Sequence, residues 1–180
     1  MRGELFNEFL EFAVESVGTE AAALTTRDGR RAATAYEVER HYDPSELTHL
    51  ADQLATIRDV PRSTVLTSFG VHLFRYFAAL YPTFLDEAAS AVAFLASINT
   101  YVHGELRKLY PDAEFPGFEC TPVAPDGIEM VYRSARPLAD LAEGLIRGSI
   151  EHFGDLVRIV REDLPGMTGT AARFVVIPER

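Results

Sequence analysis

The chain has 180 residues, 47% of them apolar, which suits one globular domain with a core of ordinary size. Its 17 basic and 27 acidic residues leave a net charge of −10, which argues against sequence-independent nucleic-acid binding and against docking on an anionic membrane. One cysteine, Cys120, excludes an intrachain disulfide and a cysteine-rich zinc site.

Residues 1–8 carry acidic side chains where a signal peptide would be apolar, and no run is long enough to span a bilayer, so a cytoplasmic protein is expected. Leu5, Phe6, Phe9, Leu10, Phe12, Ala13 and Val17 recur at helical spacing and predict a helix over residues 2–17, ended by Gly18. Residues 20–43 are less regular, with a short helix or loop around Ala21–Thr25 and a turn at Asp28-Gly29. Asp43-Pro44-Ser45-Glu46 is a helix start: Asp43 as cap, Pro44 in the first helical position, Glu46 three residues after the cap. That helix runs to about Ile57, and another spans Pro61 or Arg62 to Leu80, stopped by Tyr81-Pro82. A third, Ser90–Leu109, carries His103, and Pro111 lies just beyond it.

After Pro116 the period changes. Gly127–Arg136 alternates, putting Ile128, Met130, Tyr132, Ser134 and Arg136 on one face, and Pro137 closes the strand. Leu138–Phe153 is again helical, and strands at Leu156–Arg161 and Ala172–Ile177, joined through Pro165-Gly166, complete an α+β pattern.

The five histidines, His41, His49, His72, His103 and His152, show no metal-site spacing, and HExxH, GxSxG, P-loop and dinucleotide motifs are absent. His103 stands beside an apolar stripe of Leu95, Ile98, Val102, Leu106 and Leu109, with Asn99 four residues earlier as a group that could orient its ring. Taken alone, such a histidine is usually structural. Its alternative use is as the single axial ligand of haem, whose two propionates then need donors. Tyr132, Ser134 and Arg136 offer two hydroxyls and a guanidinium, a set suited to carboxylates, although a polar strand face is commonly just solvated.

The combination is distinctive. A helical His103, a proline exit, YxSxR beginning at Tyr132 and then Gly144-Leu145-Ile146-Arg147-Gly148 together resemble the haem-nitric oxide binding (H-NOX) family, the gas-sensing domain also found in soluble guanylate cyclases. Met1-Arg2-Gly3, Phe69-Gly70, Tyr81-Pro82, Leu109–Ala113 and Phe115-Pro116-Gly117-Phe118 fit the same pattern, while residues 18–42 match least. The resemblance implies a helical N-terminal distal subdomain, about 1–60, and a proximal subdomain, about 61–180, with an antiparallel sheet of about four strands and packed helices. Haem b would be buried between them. It implies His103 as proximal ligand, Tyr132, Ser134 and Arg136 on the propionates, Pro116 pressing the porphyrin out of plane, and Gly70 as a hinge.

Members that bind oxygen stably carry a tyrosine five residues after the last arginine of YxSxR; here that position is Leu141. An apolar distal pocket of Leu5, Phe9, Leu141 and Leu145, with Phe74 or Phe77 adding to it, implies binding of NO and CO with O2 excluded, unless Tyr36 or Tyr42 supplies a donor. NO weakens the bond to the ligand opposite, so release of His103 is the expected signal. No kinase, cyclase or coiled coil is present in the sequence, so the expected output is a histidine kinase or a cyclic-di-GMP enzyme in trans, and no zinc is expected. The competing readings are a haem enzyme, peroxidase-like or NO-detoxifying, and a haem-free interaction module.

Overall fold

In the computed structural model, which describes residues 1–165 and 169–179, the first apolar repeat becomes helix α1, Gly3–Val17. Phe6, Phe9, Phe12 and Ala13 recur every three or four residues and are buried, so one stripe of the helix faces inward. Gly18 ends it at φ 59, a left-handed value open to glycine for want of a Cβ, and its N–H closes on the Val14 carbonyl. Two short 3-10 turns come next, Gly18–Ala23 and Ala32–Thr34.

Helix α2, Ser45–Arg58, opens where Asp43-Pro44 predicts. Asp43 Oδ1 accepts the Ser45 N–H at 2.8 Å, and Pro44 already has helical angles. Leu47, Leu50 and Leu54 from this helix are fully buried. Helix α3, Arg62–Leu80, adds Val65, Leu66 and Phe69, and the Phe9 ring meets Phe69 edge-on at 5.0 Å. Each such buried side chain contributes roughly 1.5–3 kcal/mol of transfer free energy. The chain divides into two compact units, Met1–Phe69 and Gly70–Arg180, and the division falls inside α3.

The second unit begins with the remainder of α3 and a one-turn helix α4, Thr83–Asp86. The run from Ala91 to Leu109 is expected as one helix but has three parts: α5, Ala91–Ser97; a π-helical turn, Ile98–Val102; and α6, His103–Leu109. At the junction the His103 N–H reaches back five residues to the Ile98 carbonyl. Leu95 and Val102 are buried and Leu106 packs on the core, whereas Leu109, the last residue of α6, is 58% exposed. Apolar periodicity alone cannot reveal such an insertion. The start of α5 is fixed twice: Ser90 Oγ accepts the Ala93 N–H at 3.2 Å, and Asp155 Oδ2 accepts the Ala91 N–H at 2.7 Å.

Four strands, β1 (Gly117–Val123), β2 (Gly127–Arg133), β3 (Val157–Asp163) and β4 (Ala171–Pro178), form an antiparallel sheet in the order β1-β2-β4-β3. Helix α7, Ala139–Phe153, connects β2 to β3. The α+β class expected from the sequence is therefore the fold observed. Strand β1 is not individually legible in the sequence, because Pro122 interrupts its pattern; at a sheet edge the missing N–H is tolerated. Strand β2 stops at Arg133 instead of Arg136: the Arg136 N–H turns to Ser134 Oγ at 3.0 Å, a local bond that competes with the ladder. In the expected Pro165-Gly166 link, Gly166 lies outside the described residues. Ile128, Met130 and Tyr132 on β2, with Ala172, Phe174 and Val176 on β4, share a core with Phe94 and Leu95 of α5 and Ala142 and Ile146 of α7. No helix among the described residues is long and apolar enough to cross a membrane.

Candidate functional site

His103 opens α6 directly after the π turn. Its ring centroid lies 5.0 Å from that of Phe115 and 6.2 Å from that of Phe118. Nδ1 is buried with no hydrogen-bond partner among the described residues. Burial first, and then the Arg107 charge one helical turn on, lower the imidazole pKa to about 4. The ring is thus neutral at pH 7, the form in which an imidazole can ligate a metal. Asn99 does not orient it: Nδ2 donates to the Phe118 carbonyl and ties the π turn to β1.

The lowered pKa sets a sign for the acid response of the haem-free chain. Above the ordinary value of 6.5 neither the folded nor the unfolded state protonates His103, so it leaves stability unchanged. Between 6.5 and about 4 only the unfolded state takes up the proton, and stability falls as pH falls. The full loss is about 3 kcal/mol, order of magnitude. Urea midpoints at pH 7 and pH 5 should therefore drop further in the wild type than in His103→Gln; equal drops would refute this source.

Tyr132, on β2, is almost wholly buried, and its ring lies 5.5 Å from Phe118. One phenylalanine thus touches both His103 and Tyr132. Burial raises the Tyr132 pKa, opposed by a hydrogen bond with Ser134 and by the Arg136 charge. Ser134 and Arg136 lie past the end of β2, so the bend and not strand alternation brings them beside Tyr132. Arg136 donates through Nη2 to Glu114 Oε2 at 2.5 Å and through Nη1 to the Glu114 carbonyl at 3.4 Å. Pro116 lies outside any helix or strand, between Phe115 and β1 and two residues beyond Glu114 of that ion pair.

The remaining expected residues fall into separate groups. In the first unit Leu5 is half-buried and Phe9 fully buried, packed on Phe12 and Phe69. The Tyr42 hydroxyl donates to the Ala35 carbonyl at 3.2 Å and accepts the Glu37 N–H at 2.8 Å, while the Tyr36 hydroxyl faces Glu46 at 3.5 Å. In the second unit Leu141 and Leu145 lie on α7, Leu141 buried and Leu145 partly so. Phe74 packs against Phe94 and His152 in the core, and half-buried Phe77 lies beside Tyr76. Gly70 is helical and close against α7.

Sequence reasoning missed Phe115 and Phe118 as the frame of His103, Arg107 as its neighbouring charge and Glu114 as the partner of Arg136. Only Arg107, at the helical spacing i+4, left a signal in the sequence. The residues present fit haem: a neutral imidazole with an unpartnered buried nitrogen suits an axial ligand, and two hydroxyls with a guanidinium suit propionates.

The haem-NO-binding family model matches residues 2–161. A search of curated proteins gives no match. Among solved structures, the unliganded Fe(II) H-NOX protein from K. algicida is 28% identical with a TM-score of 0.88, covering 100% of this chain and 97% of that one. The S. oneidensis H-NOX protein in its Fe(II)NO state is 23% identical with a TM-score of 0.84 over 100% of both chains, a likeness of fold. The same holds for an S. oneidensis H-NOX domain in its Fe(II)CO state, at 22% identity and a TM-score of 0.79, covering 100% of this chain and 99% of that one.

Proposed function

Because the chain belongs to the haem-NO-binding (H-NOX) family, a family of haem-binding gas sensors, we propose that it is a cytoplasmic ferrous-haem sensor selective for NO and CO over O2. The observation that carries this reading is the buried imidazole of His103, its Nδ1 without a partner among the described residues, packed beside Phe115 and Phe118. His103 would hold the haem iron, Tyr132, Ser134 and Arg136 would hold the propionates, and Pro116 would lie against the porphyrin. By the same reading Leu5, Phe9, Leu141 and Leu145, with Phe74 or Phe77 added, are the apolar distal-side residues, and Gly70 is the hinge. Haem b, when bound, would supply a ferrous iron able to take a diatomic ligand, with His103 as the residue that would hold the iron.

The chain's own residues are arranged for release. Without a hydrogen bond at Nδ1, His103 is restrained by ring packing, and the π turn before it is the weak point at which α6 can shift against α5. The shift carries information when a partner binds the two arrangements with different affinity. That partner is a histidine kinase or a cyclic-di-GMP enzyme on a separate chain, by resemblance to standalone bacterial members.

Selectivity comes from the donors. Bound O2 carries partial negative charge and is retained by a hydrogen-bond donor, which Leu141 cannot provide, and the Tyr42 hydroxyl is committed to backbone groups. The purified ferrous protein should shift its Soret band with NO and with CO but form no oxy complex in air. Leu141→Tyr should gain an oxy spectrum. An air-stable oxy complex in the wild type would remove the basis for selectivity, and absence of any Soret band would remove the haem reading itself.

A further inference from the structure

The ion pair between Arg136 and Glu114 has no part in the function proposed above. Its acidic member is 82% exposed at the side chain while Arg136 is only 22% exposed, so the arginine is built in and the glutamate reaches it from outside. Both terminal nitrogens of the guanidinium face residue 114: one meets the carboxylate at 2.5 Å and the other the carbonyl at 3.4 Å. A glutamate carboxylate and a haem propionate are the same chemical group, and Arg136 is the only cation of the Tyr132-Ser134-Arg136 set. The nearest alternative in sequence, Arg133, is spent on Glu119 at 3.7 Å.

We propose that Glu114 is an internal competitor for the propionate site: its carboxylate holds the edge of Arg136 that a propionate takes, and so sets how firmly the chain retains haem. The inference rests on the haem reading. Two propionates and Glu114 make three carboxylates for one guanidinium, on a chain already at −10. A pair whose carboxylate is this exposed is weak, so Glu114 yields to a propionate and tunes retention without blocking it. Glu114 also immediately precedes Phe115-Pro116, so exchange at Arg136 frees the segment that frames His103. Occupancy of the clamp is thereby coupled to the position of Pro116.

The test is haem transfer from the loaded full-length protein to an excess of apo-globin, at low and high salt. Glu114→Gln should slow transfer about two- to five-fold at low salt, with the difference shrinking at high salt. Glu87→Gln, an equal charge change at an exposed glutamate at the end of α4, should leave transfer unchanged. Unchanged or faster transfer in Glu114→Gln overturns the inference, and so does equal slowing in Glu87→Gln, which would reduce the effect to net charge. A wild type that loads no haem overturns the haem reading and this inference with it, whereas a loaded wild type with an insensitive Glu114→Gln overturns the inference alone.

Discussion

Replacing His103 with glycine should strip the protein of haem unless free imidazole is supplied. Loss of an outer-shell partner typically lowers metal affinity 10–100-fold, and loss of an axial ligand should exceed that range. The substitution leaves a ring-sized gap beside Phe115 and Phe118, which free imidazole can fill. The Soret band should then return, but the rescued ring is no longer bonded to α6. Ligation should therefore cease to alter partner affinity even though the cofactor is present. Glycine inside a helix also costs about 1 kcal/mol relative to alanine, so urea midpoints must be measured alongside. A His103→Gly protein that keeps full haem without imidazole would sink the assignment of His103 as ligand.

The position of His103 on a helix and of Tyr132 on a strand could be read from apolar spacing, because both periods extend over several turns or pairs. Their surroundings could not. The π turn at Ile98–Val102 is set by contacts with β1, including the Asn99 bond to the Phe118 carbonyl, and those contacts are remote in sequence. Ser134 and Arg136 look like strand residues by alternation, but a hydroxyl beside a backbone N–H can end a strand, and no pattern of apolar residues records it. Glu114 lies 22 residues from Arg136, beyond the reach of local spacing rules. Gly18 and Asp43-Pro44 show the opposite case, in which turn chemistry is local and the elements begin and end about where the sequence places them.

Gly70→Ala should destabilise the protein by about 1–3 kcal/mol, the usual cost of overpacking a well-filled contact. In isolation the change favours the helix, since alanine is better than glycine by about 1 kcal/mol. The surroundings reverse that sign. A Cβ at Gly70 would lie 2.5 Å from the Leu141 carbonyl oxygen, 2.7 Å from Gly144 Cα and 2.8 Å from the Leu145 nitrogen. All three are backbone atoms of α7, so no rotamer change relieves the contact and the two helices must move apart. A second close approach holds them, because a Cβ at Gly148 would lie 2.6 Å from Phe74 Cβ. For a chain of this size the expected fall in Tm is about 2–10 °C. The same seam fixes α7, which carries Leu141, so close packing is required of Gly70 alongside the hinge role proposed for it. If Gly70→Ala raised Tm instead, helix propensity would have won, the α3–α7 approach would be yielding, and the close-packing role of Gly70 would fall.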